Sequence, residues 1–459
     1  MFRASASETS SLSIRWFKDV DGLRQLENDW LELTPKASLF ARYEWNLAAA
    51  MHLLGEGQEI WFCRIGDSAG RPLAIIPALA GNTPVKPFGD LPALALGWSH
   101  QLATFDFPMA LGANALEVGK AMLLAFKDLP IKWRVVSWPR VMADSNAAKV
   151  AQALGKRWAD ITPAAPCSTF YTASAPNQAD GLEIFTVKSS KLRSKLAYTT
   201  RRLATQGPLQ MRMAREQGDI AGYFEEFLRL ESSGWKGAHG TGTAISLVPS
   251  AKAFYSSLLA QSNPYFETDI ALLFCGDNAV AGQFLIRVAG WEHQYKIAYD
   301  EAYFKFSPGQ ILHQMVIEQA KESDGIDRVS LVTGQSWHKE WAPITEPTLQ
   351  IHIFRFIRQT AVVRVGRKVI ARLRQVRARL SAMRPKAVGS PDHEQSKELQ
   401  NKLLNDKPTF PIDVTSQSDL ANPSYATSKG LCGASRSCGF NDQISQLHED
   451  RAQSPTSVV

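Results

Sequence analysis

Hydrophobic and polar positions change their period repeatedly along this chain of 459 residues, from two to about 3.6 and back. Leu12-Ser13-Ile14-Arg15-Trp16-Phe17 alternates and predicts a strand. Leu23, Leu26, Trp30 and Leu33 then recur at helical spacing, behind Asp21 as the expected cap. The same reading predicts a helix over about 42–54 and strands over 59–65 and 72–79, joined by the turn Gly66-Asp67-Ser68-Ala69-Gly70. After a Pro/Gly-rich patch it predicts a helix near 115–127, a strand at 133–138, a helix near 145–154 and strands ending near 173.

The second half repeats the plan. A basic amphipathic helix over about 189–206 precedes a strand at 209–214, a helix at 219–232, a Gly-rich loop and a helix near 250–259. Two apolar strands, 270–275 and 279–288, flank the turn Gly276-Asp277-Asn278, and a third, 291–299, follows Gly290. A loop ends at Ser307-Pro308-Gly309, and a long helix runs to Glu322. Short strands near 328–332 and 350–354 close the unit. The expected fold is α/β (α+β): two similar units, 12–173 and 174–358, each a mixed twisted sheet flanked by helices.

The pattern then changes. Residues 361–384, within a segment 359–386, read as a helix with Val365, Val369, Leu373, Val376, Leu380 and Met383 on one stripe and Arg on the rest. Residues 387–459 are rich in Ser, Asn, Asp, Gln and Pro and are expected to be disordered, as is the leader 1–11.

Composition narrows the classes. Apolar residues make up 45% and charged residues 21%, which suits a buried core. No stretch approaches the roughly 18 apolar residues of a membrane span, and Met1 to Ser13 has no apolar signal region. Five Cys make no disulfide framework, and a cytoplasmic setting is expected. The net charge of +7 is local. Residues 355–386 hold eleven Lys/Arg and no Asp/Glu, so the remainder is slightly acidic.

Common catalytic signatures are missing: no phosphate loop, no zinc helix and no nucleophile elbow. No metal is expected, since Cys432 and Cys438 have no companion ligands. Gly237, Gly240 and Gly242 follow a helix rather than a strand, which speaks against a dinucleotide fingerprint. Asp19 and Asp21 read as helix-start residues.

The informative stretch is 270–322: strand, turn, strand, turn, strand, loop, helix. Ser307 suits the N-cap of that helix and Pro308 its first position, while Gly309 leaves backbone uncovered. Such a helix start is either a pyrophosphate site or simply a well-capped helix.

Four runs add to this: Ser189-Ser190-Lys191-Leu192-Arg193-Ser194-Lys195-Leu196, Leu230-Glu231-Ser232-Ser233-Gly234-Trp235-Lys236-Gly237, Ala253-Phe254-Tyr255, and Tyr299-Asp300-Glu301-Ala302-Tyr303 before Ser307-Pro308-Gly309. With the ending Gly334-Gln335-Ser336-Trp337-His338-Lys339-Glu340-Trp341, they resemble the CelD-like branch of the GNAT acetyltransferase superfamily, itself similar to the FemAB aminoacyl transferases. The resemblance is clearest over 185–345 and loose over the first half. It departs from the family at Ser330-Leu331-Val332-Thr333, at His338-Lys339 and in the shortened glycine signature.

The resemblance implies two tandem GNAT-like domains and an acetyl-coenzyme A (or other acyl-coenzyme A) co-substrate, with a polysaccharide or cell-envelope precursor as acceptor. Its pyrophosphate is expected at Ser307, Pro308, Gly309 and Gln310, with Lys339 closing over the donor. Glu231 and Asp300 are candidate bases, against plain readings as a solvated carboxylate and a turn cap. Tyr299 or Tyr295 is expected to serve the departing thiolate or the acceptor site, against packing roles. Trp235 and Lys236 are expected to shape the acceptor site. Two alternatives stay open: a FemAB-like transferase using aminoacyl-tRNA, with Lys191, Arg193, Lys195, Arg201 and Arg202 toward the RNA, and a non-catalytic scaffold of an envelope-synthesis complex. The 361–384 helix has three readings: an anionic membrane surface, placing the protein at the inner membrane's periphery, an acidic partner, or packing onto the domain.

Overall fold

The computed structural model describes residues 12–34, 38–86, 88–95, 101–172, 189–341 and 343–382, all within one compact unit. The leader and the 387–459 tail, with Cys432 and Cys438, lie outside the described residues.

The chain opens with β1 (Ser13–Lys18), α1 (Asp19–Gln25), α2 (Glu27–Leu33), α3 (Tyr43–His52), β2 (Ile60–Gly66), β3 (Pro72–Val85) and β4 (Gly89–Ala95). It continues with α4 (Ala115–Lys127), β5 (Val135–Met142), α5 (Asn146–Trp158), β6 (Ala159–Pro163) and β7 (Cys167–Tyr171). The second half runs α6 (Ser190–Ala204), β8 (Leu209–Met213), α7 (Ala214–Gln217), α8 (Ile220–Ser232), α9 (Pro249–Ala260), β9 (Glu267–Cys275), β10 (Asn278–Val288) and β11 (Trp291–Tyr299). It ends with α10 (Pro308–Glu322), β12 (Arg328–Ser330), β13 (Ile344–Glu346), β14 (Thr348–Phe354) and α11 (Ile357–Ala382).

Among the described residues the strands form two seven-stranded mixed sheets, β1-β2-β3-β4-β5-β14-β6 and β13-β7-β12-β11-β10-β9-β8, both flanked by helices. The mixed α/β architecture matches the sequence pattern. The pairing crosses the 173/174 boundary, however. β14 lies antiparallel between β5 and β6, with Ile351 opposite both Trp138 and Ile161. β7, from the first half, pairs with β12 and β13 of the second sheet. Each half therefore completes the other's sheet. Alternation specifies which face of a strand is buried but not which strand lies beside it.

The N-terminal helix is also two. The 21–33 run breaks at Leu26, and Asp21 sits inside α1, paired with Arg24, rather than capping it. β4 went unread because Pro92 and Gly89 mask it; Pro92 pairs opposite Asn82 at the second half of an unusually long β3. Caps at Asn114, Ser145, Ser189 and Asp219 accept backbone N–H groups as their residue types predict.

In the second sheet, successive residues on one strand serve opposite cores. Leu272 and Phe284 pack with Phe227 of α8, whereas Leu273 and Leu285 pack with Leu312 of α10. The α8–α9 side continues into the first half, where α3 packs on α9. Trp45 lies 5.7 Å from Phe254 and donates its indole N–H to the Tyr295 hydroxyl at 3.2 Å. Cys63, Cys167 and Cys275 are buried free thiols.

Candidate active site

Two irregularities in β11 define the site. The first is a bulge. Phe284 pairs with Lys296 and Leu285 with Gln294, so Tyr295 is an extra residue on β11. The second is a parting of strands. β11 pairs with β12 only over Trp291↔Arg328, Glu292↔Val329 and His293↔Ser330. Beyond His293, no strand lies against that edge of β11 among the described residues. Gln294, where the strands part, accepts from His313 Nδ1 at 2.6 Å through its Oε1. Burial holds His313 neutral, with its pKa lowered to about 3. With a neutral ring, Nδ1–H donates to the amide oxygen, leaving His313 Nε2 an acceptor. That atom and Gln294 Nε2 are buried without a protein partner.

The end of α8 brings a charged pair close to β11. Glu231 is 6% exposed. Its Oε1 accepts from Lys236 Nζ at 2.9 Å and its Oε2 from the Ile245 N–H at 2.7 Å. The solvated-carboxylate reading of Glu231 thus does not describe it. Lys236 also stands 5.7 Å over the ring of Trp235, which is 39% exposed. The glycines of this loop allow its tight folding. A Cβ on Gly240 would sit 1.8 Å from the Trp235 carbonyl oxygen, which in turn accepts from the Thr241 N–H at 2.8 Å.

Sequence reasoning missed one residue. Lys296, half-buried beside the bulge, feels both Glu231 and Lys236. Burial first, then the Lys236 ammonium, pushes its pKa down from 10.5 to about 8, against the pull of Glu231. A Lys in a strand carries no motif. Nothing else marks it, since the strand also carries Glu292, His293 and Gln294.

Other candidates separate by geometry. Tyr299 is half-buried, and burial followed by Glu301 raises its pKa to about 12. Its ring lies against Gly309, 3.5 Å from where a Cβ would stand. Tyr295 is buried between the halves, with its hydroxyl donating to the Gln101 carbonyl at 2.7 Å, which fits the packing reading. Asp300 fits the turn-cap reading, accepting from the Ala302 N–H at 2.9 Å and pairing with Arg229 at 3.2 Å. Ser307 occupies the N-cap position, but in the left-handed region (φ 54°), and its side chain makes no cap. Its carbonyl takes the N–H groups of both Gln310 and Ile311. Pro308 has none to offer, so the Gly309 N–H is the free donor of that first turn. Gln310 is half-buried with an unpartnered Oε1, and Lys339 is exposed on a short 3-10 helix, Ser336–Trp341. Trp341 on that helix is buried, its ring 4.4 Å from His313.

Residues 190–340 match the family model for the acetyltransferase (GNAT) domain. They form a GNAT-type acyltransferase domain. The match covers about a third of the chain, and no curated protein matches the chain in sequence. Three solved structures are similar in shape to much of it. FemX shares 11% identity over 72% of this chain and 96% of its own, with a TM-score of 0.46. The C-terminal domain of a putative lysylphosphatidylglycerol synthetase from Agrobacterium fabrum shares 11% over 76% and 97%, with a TM-score of 0.42. A tandem GNAT protein from the clavulanic acid biosynthesis pathway shares 10% over 74% and 98%, with a TM-score of 0.40. None of the three bears on what the GNAT domain of this chain acts on. Among the described residues there is no group of three or more His, Cys, Asp or Glu placed to hold a metal, and no helix is long and apolar enough to cross a membrane.

Proposed function

We propose that the GNAT domain transfers an acyl group from acyl-coenzyme A, acetyl-coenzyme A above all, to an amine or hydroxyl of a polysaccharide or cell-envelope precursor in the bacterial cytoplasm. The acceptor class follows the CelD-like resemblance of the runs around Trp235-Lys236 and Ser307-Pro308-Gly309. The observation that carries the reading is Lys296: an amine with a lowered pKa, beside a lysine–glutamate pair, on the part of β11 whose edge is open.

In this reading the thioester lies along β11 past His293. The unpartnered Gln294 Nε2 and His313 Nε2 offer one donor and one acceptor, which suits an amide of the pantetheine arm. The Gly309 N–H at the positive end of α10 faces the pyrophosphate, aided by Gln310 and Lys339. Neutral Lys296 takes the proton as the acceptor's nitrogen or oxygen bonds to the acyl carbon. The carbon–sulfur bond breaks and the thiolate leaves. An ammonium of pKa about 8 is well matched to a thiolate, whose thiol has an ordinary pKa of about 8.5, so Lys296 can return that proton to the sulfur. Tyr299, with its pKa near 12, keeps its own proton and serves the sulfur as a hydrogen-bond donor. Glu231 is the positioning carboxylate that holds Lys236 and sets the field at Lys296.

The test is acceptor-dependent thiol release from acetyl-coenzyme A across a panel of amino sugars and sugar nucleotides. Release with at least one acceptor, lost in Lys296→Met, supports the reading. Full activity in Lys296→Met would move the base elsewhere. The aminoacyl-tRNA alternative rests on α6, which buries Leu192, Leu196 and Leu203 and exposes Lys191, Arg193, Arg201 and Arg202. RNase-sensitive nucleic acid retained on the purified protein, with no thiol release, would favour it.

A further inference from the structure

α11 leaves the first sheet directly after β14 and is fixed to the body by one face. Thr360 and Val363 are buried. Arg364 donates to the Ala159 carbonyl at 2.8 Å and pairs with Asp160 at 3.4 Å, and Arg367 pairs with the other oxygen of Asp160. At roughly 100° per residue these four positions share one side of the helix. Val362, Val365, Val369, Leu373 and Val376 fall within an arc of about 80° on the opposite side. Their exposures run from 47% at Val362 to 62% at Leu373. Among the described residues nothing of the body covers this stripe, since the contact with α11 uses the other face.

What borders the stripe identifies its occupant. Arg358, Lys368 and Arg372 lie at its start or along one flank and are exposed. No Asp or Glu occurs from 355 to 386. A second copy of α11 would bring arginines against arginines with no acid to separate them. An anionic lipid headgroup layer answers both features at once, taking the apolar side chains at the acyl boundary and the cations among phosphates. We propose that the Val362–Val376 face of α11 lies on an anionic membrane surface, with the Asp160 contacts holding the helix outward from the body. The rest of the sequence is slightly acidic, so such a surface repels the body and favours contact through α11 alone.

The full chain is tested by co-sedimentation with vesicles of phosphatidylcholine alone and of phosphatidylcholine with one quarter phosphatidylglycerol, at low and high salt. Binding should require the anionic lipid and weaken with salt. Val369→Glu with Leu373→Glu should reduce it at least tenfold, and Lys368→Glu with Arg372→Glu should reduce it and flatten its salt dependence. All four positions are exposed, so an unchanged thermal melt confirms that each variant is folded. Equal binding to both vesicle types, absence of binding, or binding that survives Val369→Glu with Leu373→Glu would overturn the proposal. So would a dimer in lipid-free solution that Leu373→Glu dissociates, since the stripe would then belong to a second copy. Saturable capture of an acidic polypeptide through the stripe, without lipid binding, would assign it to a protein partner instead.

Discussion

Lys236 donates to Glu231 at 2.9 Å while the backbone N–H of Ile245 holds the other oxygen of the same carboxylate. The pair ties the end of α8 to the loop that presents Trp235 and to the next turn of chain. Glu231→Gln keeps an acceptor for Ile245 but loses the charge. We expect the melting temperature to change little and kcat to fall at least tenfold, because the field at Lys296 changes. Glu231→Ala strands a buried N–H and should lower stability by about 1–3 kcal/mol. Thermal melts beside initial rates separate these two effects. Equal loss of rate and stability in both variants would make Glu231 purely structural.

Lys296 gives a pH signature. Its amine is the active form above about pH 8, so kcat/KM should rise as pH increases through that value. Lys296→Met should remove this limb and lower the rate by about 10²–10⁴-fold. Lys296→Arg, charged throughout, should do the same. A pH profile unchanged in Lys296→Met would contradict the assignment.

Four buried imidazoles predict acid sensitivity of the fold. Burial lowers His313 to about 3 and His293, His338 and His352 to about 4, against about 6.5 in an unfolded chain. Between pH 6.5 and 4 the unfolded state therefore binds more protons, and stability falls as pH falls. Asp106 opposes this, since burial raises it to about 6 and the native state takes up its proton first. Asp269 and Glu292, raised by burial, oppose it as well, while His52, lowered by burial, adds to it. Each unopposed proton is a slope of roughly 1.4 kcal/mol per pH unit. Melting temperatures measured from pH 7.5 to 4.5 should drop. A flat profile would contradict the neutral burial of these rings.

The exchanged strands predict that the halves cannot stand apart. A fragment ending at 173 lacks β14 and leaves β5 and β6 with an empty slot where Ile351, Ile353 and Phe354 are fully buried. It should be insoluble alone and recovered when co-expressed with 174–459, which lacks β7 in turn. A soluble 1–173 fragment with a cooperative melt would contradict the pairing.

Much of this was legible in the sequence, and the exceptions share a cause. Period and punctuation located α4, α8, α10 and β9 to β11 to within a few residues, because each carries its own cap, turn or apolar stripe. Partner choice was not legible: nothing within Thr348–Phe354 says that it belongs between β5 and β6. The site divides the same way. Glu231, Trp235, Lys236, Tyr299 and Gly309 were named by motif and do gather at the end of β11. Lys296 was not read at all, and the bulge at Tyr295 beside it is invisible in the pattern. Ser307 looked like a cap but folds left-handed, so its carbonyl rather than its hydroxyl meets the first turn.

The central claim, that the start of α10 receives the pyrophosphate of an acyl-coenzyme A, is tested most directly by calorimetric titration of acetyl-coenzyme A into the wild type and Gly309→Glu. A Cβ at Gly309 meets only ordinary contacts with Tyr299, so the variant should fold while its carboxylate repels the anion. The account predicts saturable binding to the wild type and at least tenfold weaker binding to Gly309→Glu. Absence of binding to the folded wild type, or equal binding to both, would contradict it.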